Sequence, residues 1–420
     1  MIPRPDLLVP GAPPGTEIYQ LTSEAIPSSH VYMEAQIFTP DSRRFLLHRS
    51  AHAHGGGLLP HDPEHQYLLC DLEAGGARSP LITEPDAIAP SVSPDGGLVY
   101  YLVDRSEADK PSLILKRIEL ASGDCRTLAV IDTAIAGTRY LPGRVYPLST
   151  IRSDGRRLAA ALALRDPEEP AWRWGLLVFD LENGGHRLVL EGPSWCNLHP
   201  QYCRSRQPEW SRTVLVQENH GNVHDAAGRL LQLTGGAGAD IHLVNDDGSG
   251  FRDFPCGRDG REFCQGHQCW RGSGETAILG TVIQSPPGEG EGRLVECRPV
   301  TAAGHRGLRS PGGWRNELSR GFPTPHFHHF GTDATGRFIL TDYLPGTGNF
   351  VAWARLPLAS GEPMGEPVLL AEARSSMQKS AHLHPFLSPD GRSGFFNSDE
   401  SGRLQAYLIR LPDPGSGSDG

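Results

Sequence analysis

"LSPDGRSGFFNSD", Leu387 to Asp399, joins a short apolar run to a second one through a tight turn. The turn residues divide the work, with Pro389 fixing φ, Asp390 capping the bend and Gly391 taking a positive φ. The same arrangement recurs at "FTPDSRRFLLHRS" (from Phe38), "VSPDGGLVYYLVD" (Val92), "IRSDGRRLAAALA" (Ile151), "RGSGETAILGTVI" (Arg271) and "TDATGRFILTDYL" (Thr332). A seventh unit, "LHPQYCRSRQPEWSRTVLVQENHG" from Leu198, lacks the Asp-Gly turn but keeps the two flanking runs.

Most units continue with a third run, a Gly-containing turn and a fourth run, as in "QYLLCDLEAGGARSPLIT", "LILKRIELASGDCRTLAV", "GLLVFDLENGGHRLVLEG" and "IHLVNDDGSGFRDFPCG". Four strands joined by tight turns make an antiparallel blade, so the repeats predict an all-β, seven-bladed β-propeller. The last unit offers three strands, and "TEIYQLT" at residues 16–22 resembles the missing fourth, which would close the ring by pairing the chain's two ends. The expected organisation is one propeller domain over residues 1–412, followed by a disordered tail at 413–420.

Composition agrees. The 420 residues include 50 glycines and 36 prolines, which punctuate short runs rich in Val, Leu, Ile and Tyr. No apolar run approaches the length of a membrane span, and Met-Ile-Pro-Arg-Pro-Asp is not a secretory leader, so a soluble, cytoplasmic protein is expected. A net charge of −10 argues against nucleic acid or an anionic membrane as partner. The eight cysteines lack metal-site spacing and are expected to be buried thiols.

The innermost strand of a blade precedes the SPDG-like turn, and its first residue lies at the channel mouth. Counting seven residues back from the turn position gives Ala35, Ala89 and Leu148 in the first three units, but His267, His329 and His384 in the last three. His199 of "HPQYCRSR" stands near the matching place in the fourth. Four adjacent blades therefore bring imidazoles to one side of one mouth. Imidazole is both a common metal ligand and the side chain suited to proton transfer near neutral pH.

His382 alternates with His384 and shares its face, with Gln378 just upstream and His329 arriving from the neighbouring blade. A His/His/His/Gln set suits Mn²⁺ or a similar borderline divalent ion better than Ca²⁺, which favours all-oxygen shells. His326 and His328 of "PHFHHFG" could substitute in that shell.

"VYMEAQIFTPDSRRFLL", "LHPQYCRSR", "HLVNDDGSGFRDF" followed by "GHQCW", and "HLHPFLSPDG" together resemble the oligogalacturonate lyases, polysaccharide lyases within the TolB-like propeller group. The resemblance implies His329, Gln378, His382 and His384 as Mn²⁺ ligands, His267 as catalytic base and an acidic oligosaccharide as substrate. β-Elimination of a uronate removes the C5 proton, a poor acid beside a carboxylate; a divalent cation offsets that charge and a neutral imidazole accepts the proton.

Around this centre His199 is expected to hydrogen-bond the sugar and Trp270 to stack on it, although core packing accounts equally for Trp270. The chain has three lysines, so metal and arginine must supply the positive field. Two departures stand out. The Gln-to-His spacing is one residue longer than the family's, which leaves Ser380 as an alternative to Gln378. Asp240 or His242 also stands where the family has an arginine, so Arg204 or Arg271 must compensate or the substrate differs. The competing reading is a non-catalytic TolB-like binding module. A prolyl-oligopeptidase-type hydrolase is disfavoured because the chain has no Gly-x-Ser-x-Gly elbow.

Overall fold

A computed structural model describes residues 1–50, 62, 64–169, 172–225, 230–234, 238–256, 262–283, 291–299, 314–322, 325–378 and 381–412. The chain is all-β, built of four-stranded antiparallel sheets in the manner of a propeller. Among the described residues the helical turns are Pro5–Leu7 and Pro208–Ser211. The second of these takes the place of the Asp-Gly turn that the fourth repeat lacks. The tail at 413–420 and Ser380 lie outside the described residues.

One sheet shows the pattern: Ala87–Val92, Leu98–Arg105, Ser112–Glu119 and Cys125–Ile131 pair in chain order. Its first turn closes through Gly96 N–H to Ser93 O at 2.8 Å, while the Asp95 carboxylate accepts the Gly97 N–H at 3.0 Å. Gly96 has φ 74° and Gly391, in the opening stretch, 70°, a region where a side chain would be strained.

Strands buried on both faces read as continuous apolar runs because each sheet packs on the next. Leu164 and Phe179 meet Leu102 and Leu115, Val214 and Val216 meet Ala159 and Leu176, and Phe330 and Ile339 meet Ile278 and Leu294. The last sheet returns to the first, with Phe395 and Leu408 sharing a cluster with Phe45 and Tyr67. Apart from the separate hairpin of Val223–His224 and Leu230–Gln232, the strands at 201–253 and 262–317 form one larger sheet, joined where Ala239 pairs with Cys264. All eight cysteines are free; six are buried, Cys256 is half-buried and Cys125 is exposed.

The amino-terminal run supplies Glu17–Gln20, which pairs antiparallel with Gln405–Arg410 at the other end of the chain. A further edge strand, Ile2–Pro3, adds beside it. Arg4 ties this edge down: Nη2 donates to Glu400 Oε2 at 2.9 Å, and the Tyr407 hydroxyl also meets Glu400. Hydrogen bonding from Arg4 holds the Glu400 carboxyl below its ordinary range. Arg4→Ala is expected to lower stability by about 1–2 kcal/mol, read as a lower denaturant midpoint at neutral pH. Because the folded-state pKa is depressed, this difference is full above the ordinary glutamate range. It closes as pH falls through the folded value.

Candidate metal centre

Three of the strands that precede the turns carry a bulge. Register slips between Ile88 and Ser91, Val145 and Ser149, and Cys264 and Gln268. At or beside the registered position the backbone turns left-handed, with φ 54° at Ala89, 46° at His199, 83° at Gly266 and 44° at His384. Such a conformation costs about 1–3 kcal/mol at a non-glycine residue and is retained where it aims a side chain.

His329 is held from its own blade by a buried carboxylate. Its Nδ1–H donates to Asp342 Oδ2 at 2.6 Å, while Asp342 Oδ1 accepts the backbone N–H groups of His328 and His329, both at 2.9 Å. Asp342 is wholly buried on the strand Phe338–Tyr343, whose Asp342 N–H returns to His329 O at 3.1 Å. With Nδ1 committed to a carboxylate, Nε2 carries the lone pair, the arrangement that orients metal-binding histidines.

His382 and His384 stand just ahead of Phe386–Leu387, and their ring centroids lie 5.3 and 4.5 Å from that of His329. One donor atom from each of the three imidazoles lies within 4.8 Å of the others. Three imidazole nitrogens that converge in this way fit a borderline divalent cation.

His267 completes the group, its ring centroid 4.3 Å from that of His329. Its Nδ1 is buried without a hydrogen-bond partner. Burial pushes its pKa well below the ordinary value, and His329, His328, His199 and His382 add to the effect, so the ring is neutral. His199 is held by Nδ1 to Glu34 Oε2 at 2.7 Å, and its Nε2 meets the Tyr146 hydroxyl at 2.7 Å. Burial raises the Glu34 carboxyl despite the opposing pull of His199 and His329. The Tyr32 ring lies 4.6 Å from His384 and 5.2 Å from His199.

Of the other residues singled out from sequence, Trp270, Arg271, Arg204, Asp240 and His242 lie elsewhere, and Gln378 stands just ahead of His382. Gln378 is exposed, its carbonyl accepting the Ala381 N–H at 2.7 Å. Trp270 is buried, with Nε1 donating to Gln201 O at 3.0 Å. Arg271 sits among the turns at the far end of its strand, bonded to Gly336 O at 2.9 Å, Glu296 at 2.8 Å and Pro357 O at 2.6 Å. Arg204 follows the strand Gln201–Tyr202 at the corresponding end, and burial pushes its guanidinium down to about 10. Asp240 and His242 face Glu218 and His220 in a separate cluster.

Glu34, Tyr32, Tyr146 and Asp342 were not singled out from sequence. An acid inside an apolar strand, as in "FILTDYL" and "VYMEA", is the signal that could have found two of them, since a buried carboxylate needs a partner.

Fold and cluster together define an all-β, propeller-type protein with a histidine centre able to hold a metal. No family model matches the chain, and no curated protein matches it in sequence. Among solved structures the chain is similar to an oligogalacturonate lyase in complex with manganese, at 18% identity and TM-score 0.66, over 97% of this chain and 96% of that one. It is likewise similar to the oligogalacturonate lyase of Vibrio parahaemolyticus, at 16% identity and TM-score 0.65, over 97% and 96%. A hydrazine synthase from Kuenenia stuttgartiensis follows at 12% identity and TM-score 0.51, over 91% and 97%. At these identities the likeness is one of fold.

Proposed function

We propose that this protein is a metal-dependent polysaccharide lyase that cleaves oligogalacturonate or related short uronate oligosaccharides by β-elimination. The observation that carries the reading is the convergence of His329, His382 and His384 within 4.8 Å, with His329 oriented by Asp342 and His267 packed against it. The reading includes a cytoplasmic, single-domain ring of seven blades over residues 1–412. The pairing of Glu17–Gln20 with Gln405–Arg410 and the packing of the last sheet on the first support it.

His329, His382 and His384 would hold Mn²⁺ or a similar ion, with Gln378 or water filling the shell. Such an ion supplies positive charge against the uronate carboxylate. His267, neutral and half-buried, accepts the C5 proton; the released electron pair forms the C4=C5 double bond and expels O4. His199 is fixed between Glu34 and Tyr146, so the sugar contact expected of it would require Nε2 to exchange the Tyr146 hydroxyl for a sugar hydroxyl. The placement of Arg204, Arg271 and Trp270 away from the cluster favours the competing reading, a non-catalytic TolB-like binding module.

The separating experiment is ultraviolet absorbance of an unsaturated uronate when the protein is incubated with oligogalacturonate and Mn²⁺. Growth of that band is expected; no growth across several uronates would leave the binding module standing. Asp342→Asn tests the metal centre independently. An amide nitrogen in place of Oδ2 no longer accepts from Nδ1–H, so the imidazole is driven to the tautomer with a proton on Nε2. Mn²⁺ affinity is expected to fall by about 10–100-fold in a direct titration.

A further inference from the structure

A second cluster lies on the strands Thr213–Asn219 and Ala239–Asn245. Glu218 pairs directly opposite Asp240, and Val216 opposite His242. His220 and His242 each stand two residues along from one of these acids, so all four side chains share one face. Like charges directly opposite on neighbouring strands repel, and Glu218 and Asp240 are 3% and 8% exposed, too buried for water to screen them.

The donor atoms converge. His220 Nε2 is 2.9 Å from Asp240 Oδ2 and 3.6 Å from Glu218 Oε2, and these three groups lie within 4.8 Å of one another. His242 Nε2 is 3.1 Å from the same Glu218 oxygen and 4.0 Å from Asp240 Oδ2. The outer atoms are committed elsewhere: Glu218 Oε1 accepts from Ser194 at 2.5 Å, and His242 Nδ1 donates to Asp253 Oδ1 at 2.6 Å.

A second feature points to a ligand. His242 is 4% exposed, and its Nε2 is buried with no aligned hydrogen-bond partner despite its closeness to Glu218. A nitrogen whose ring is already oriented through Nδ1 by a carboxylate, and which faces two carboxylate oxygens, is arranged as His329 is at the first centre.

We propose that Glu218, His220, Asp240 and His242 form a second binding site for a first-row divalent cation, with Asp253 orienting His242. Two imidazole nitrogens and two carboxylate oxygens make a borderline donor set, suited to Zn²⁺, Co²⁺ or Mn²⁺ rather than to the all-oxygen preference of Ca²⁺ or Mg²⁺. The site is separate from the first. On the same strand Gln217 points the other way, reaching Gln268 at 3.4 Å beside His267, whereas Glu218 faces Ser194. A cation here relieves the repulsion between the facing acids and clamps the two strands together.

The test is metal stoichiometry on the full chain, stripped with chelator and titrated with Co²⁺, with the visible absorption of the bound ion followed. Wild type is expected to bind two ions and His382→Ala one. Asp240→Asn in the His382→Ala background is expected to abolish the remaining Co²⁺ band. His220→Ala, at the most exposed position of the four, repeats the test where folding depends least on the side chain. The proposal is overturned if His382→Ala alone leaves no bound ion, if Asp240→Asn and His220→Ala bind as many ions as wild type, or if wild type binds none. A single ion that survives His382→Ala and is lost in Asp240→Asn upholds this site and removes the first one, so the two readings fail separately.

Discussion

Replacing His267 with alanine is expected to lower kcat/KM for uronate elimination by about 10²–10⁴-fold while leaving the metal content at the histidine centre unchanged. The split follows from geometry. His267 packs on His329 with centroids 4.3 Å apart, but its Nδ1 is not among the converging ligand atoms and lacks a hydrogen-bond partner. Burial and the surrounding imidazoles keep its pKa well below the ordinary value, so it stands ready as a proton acceptor at neutral pH. His382→Ala, by contrast, is expected to lower activity and metal content together. Initial rates with Mn²⁺ in excess, paired with metal analysis of each variant, check both. Equal rates for wild type and His267→Ala would take the base away from this residue and turn attention to Tyr32 or His199.

That experiment rests on a register legible in the sequence alone. The SPDG-like turns carried it, because turn chemistry is local: Pro, Asp and Gly act on the few residues around them, and the strand ahead inherits a fixed count. His329 and His384, found seven residues before Gly336 and Gly391, indeed meet, and His267 joins them.

What the local signals did not reach is the support of those rings. His199 leans on Glu34 across 165 residues and His329 on Asp342 across 13, and nothing in either stretch names its partner. Trp270 and Arg271 illustrate the converse. They stand next to "GHQC" in the chain, but a strand rises about 3.3 Å per residue, so three and four steps from His267 lead to the opposite end of the sheet, among the turns. Arg271 is engaged there with Glu296 and two carbonyls. Proximity in sequence along a strand is distance in space.

The same logic makes the amino-terminal strand indispensable to a site it never touches. Removing residues 1–22 is expected to abolish the cooperative fold. The deletion takes away Leu7, Ile18 and Leu21, each 2% exposed or less, at about 1.5–3 kcal/mol apiece. That sum matches the whole stability of an ordinary domain, about 5–15 kcal/mol. It also bares Gln405–Arg410, an apolar strand whose backbone had paired with Glu17–Gln20, as an open edge prone to pairing between chains. Gln405–Arg410 in turn pairs with Ser393–Ser398, and Asn397 N–H on that strand donates to Leu383 O at 2.8 Å, between His382 and His384. Loss of the terminal pairing therefore propagates through two strands to His382 and His384. Size-exclusion chromatography, a thermal melt by circular dichroism and Mn²⁺ titration of the shortened chain are expected to show aggregation, no cooperative transition and no bound ion. A monodisperse shortened chain with an unchanged melt would mean that the last sheet stands on three strands alone, and that the histidines owe their positions to neighbouring sheets rather than to the junction of the chain's two ends.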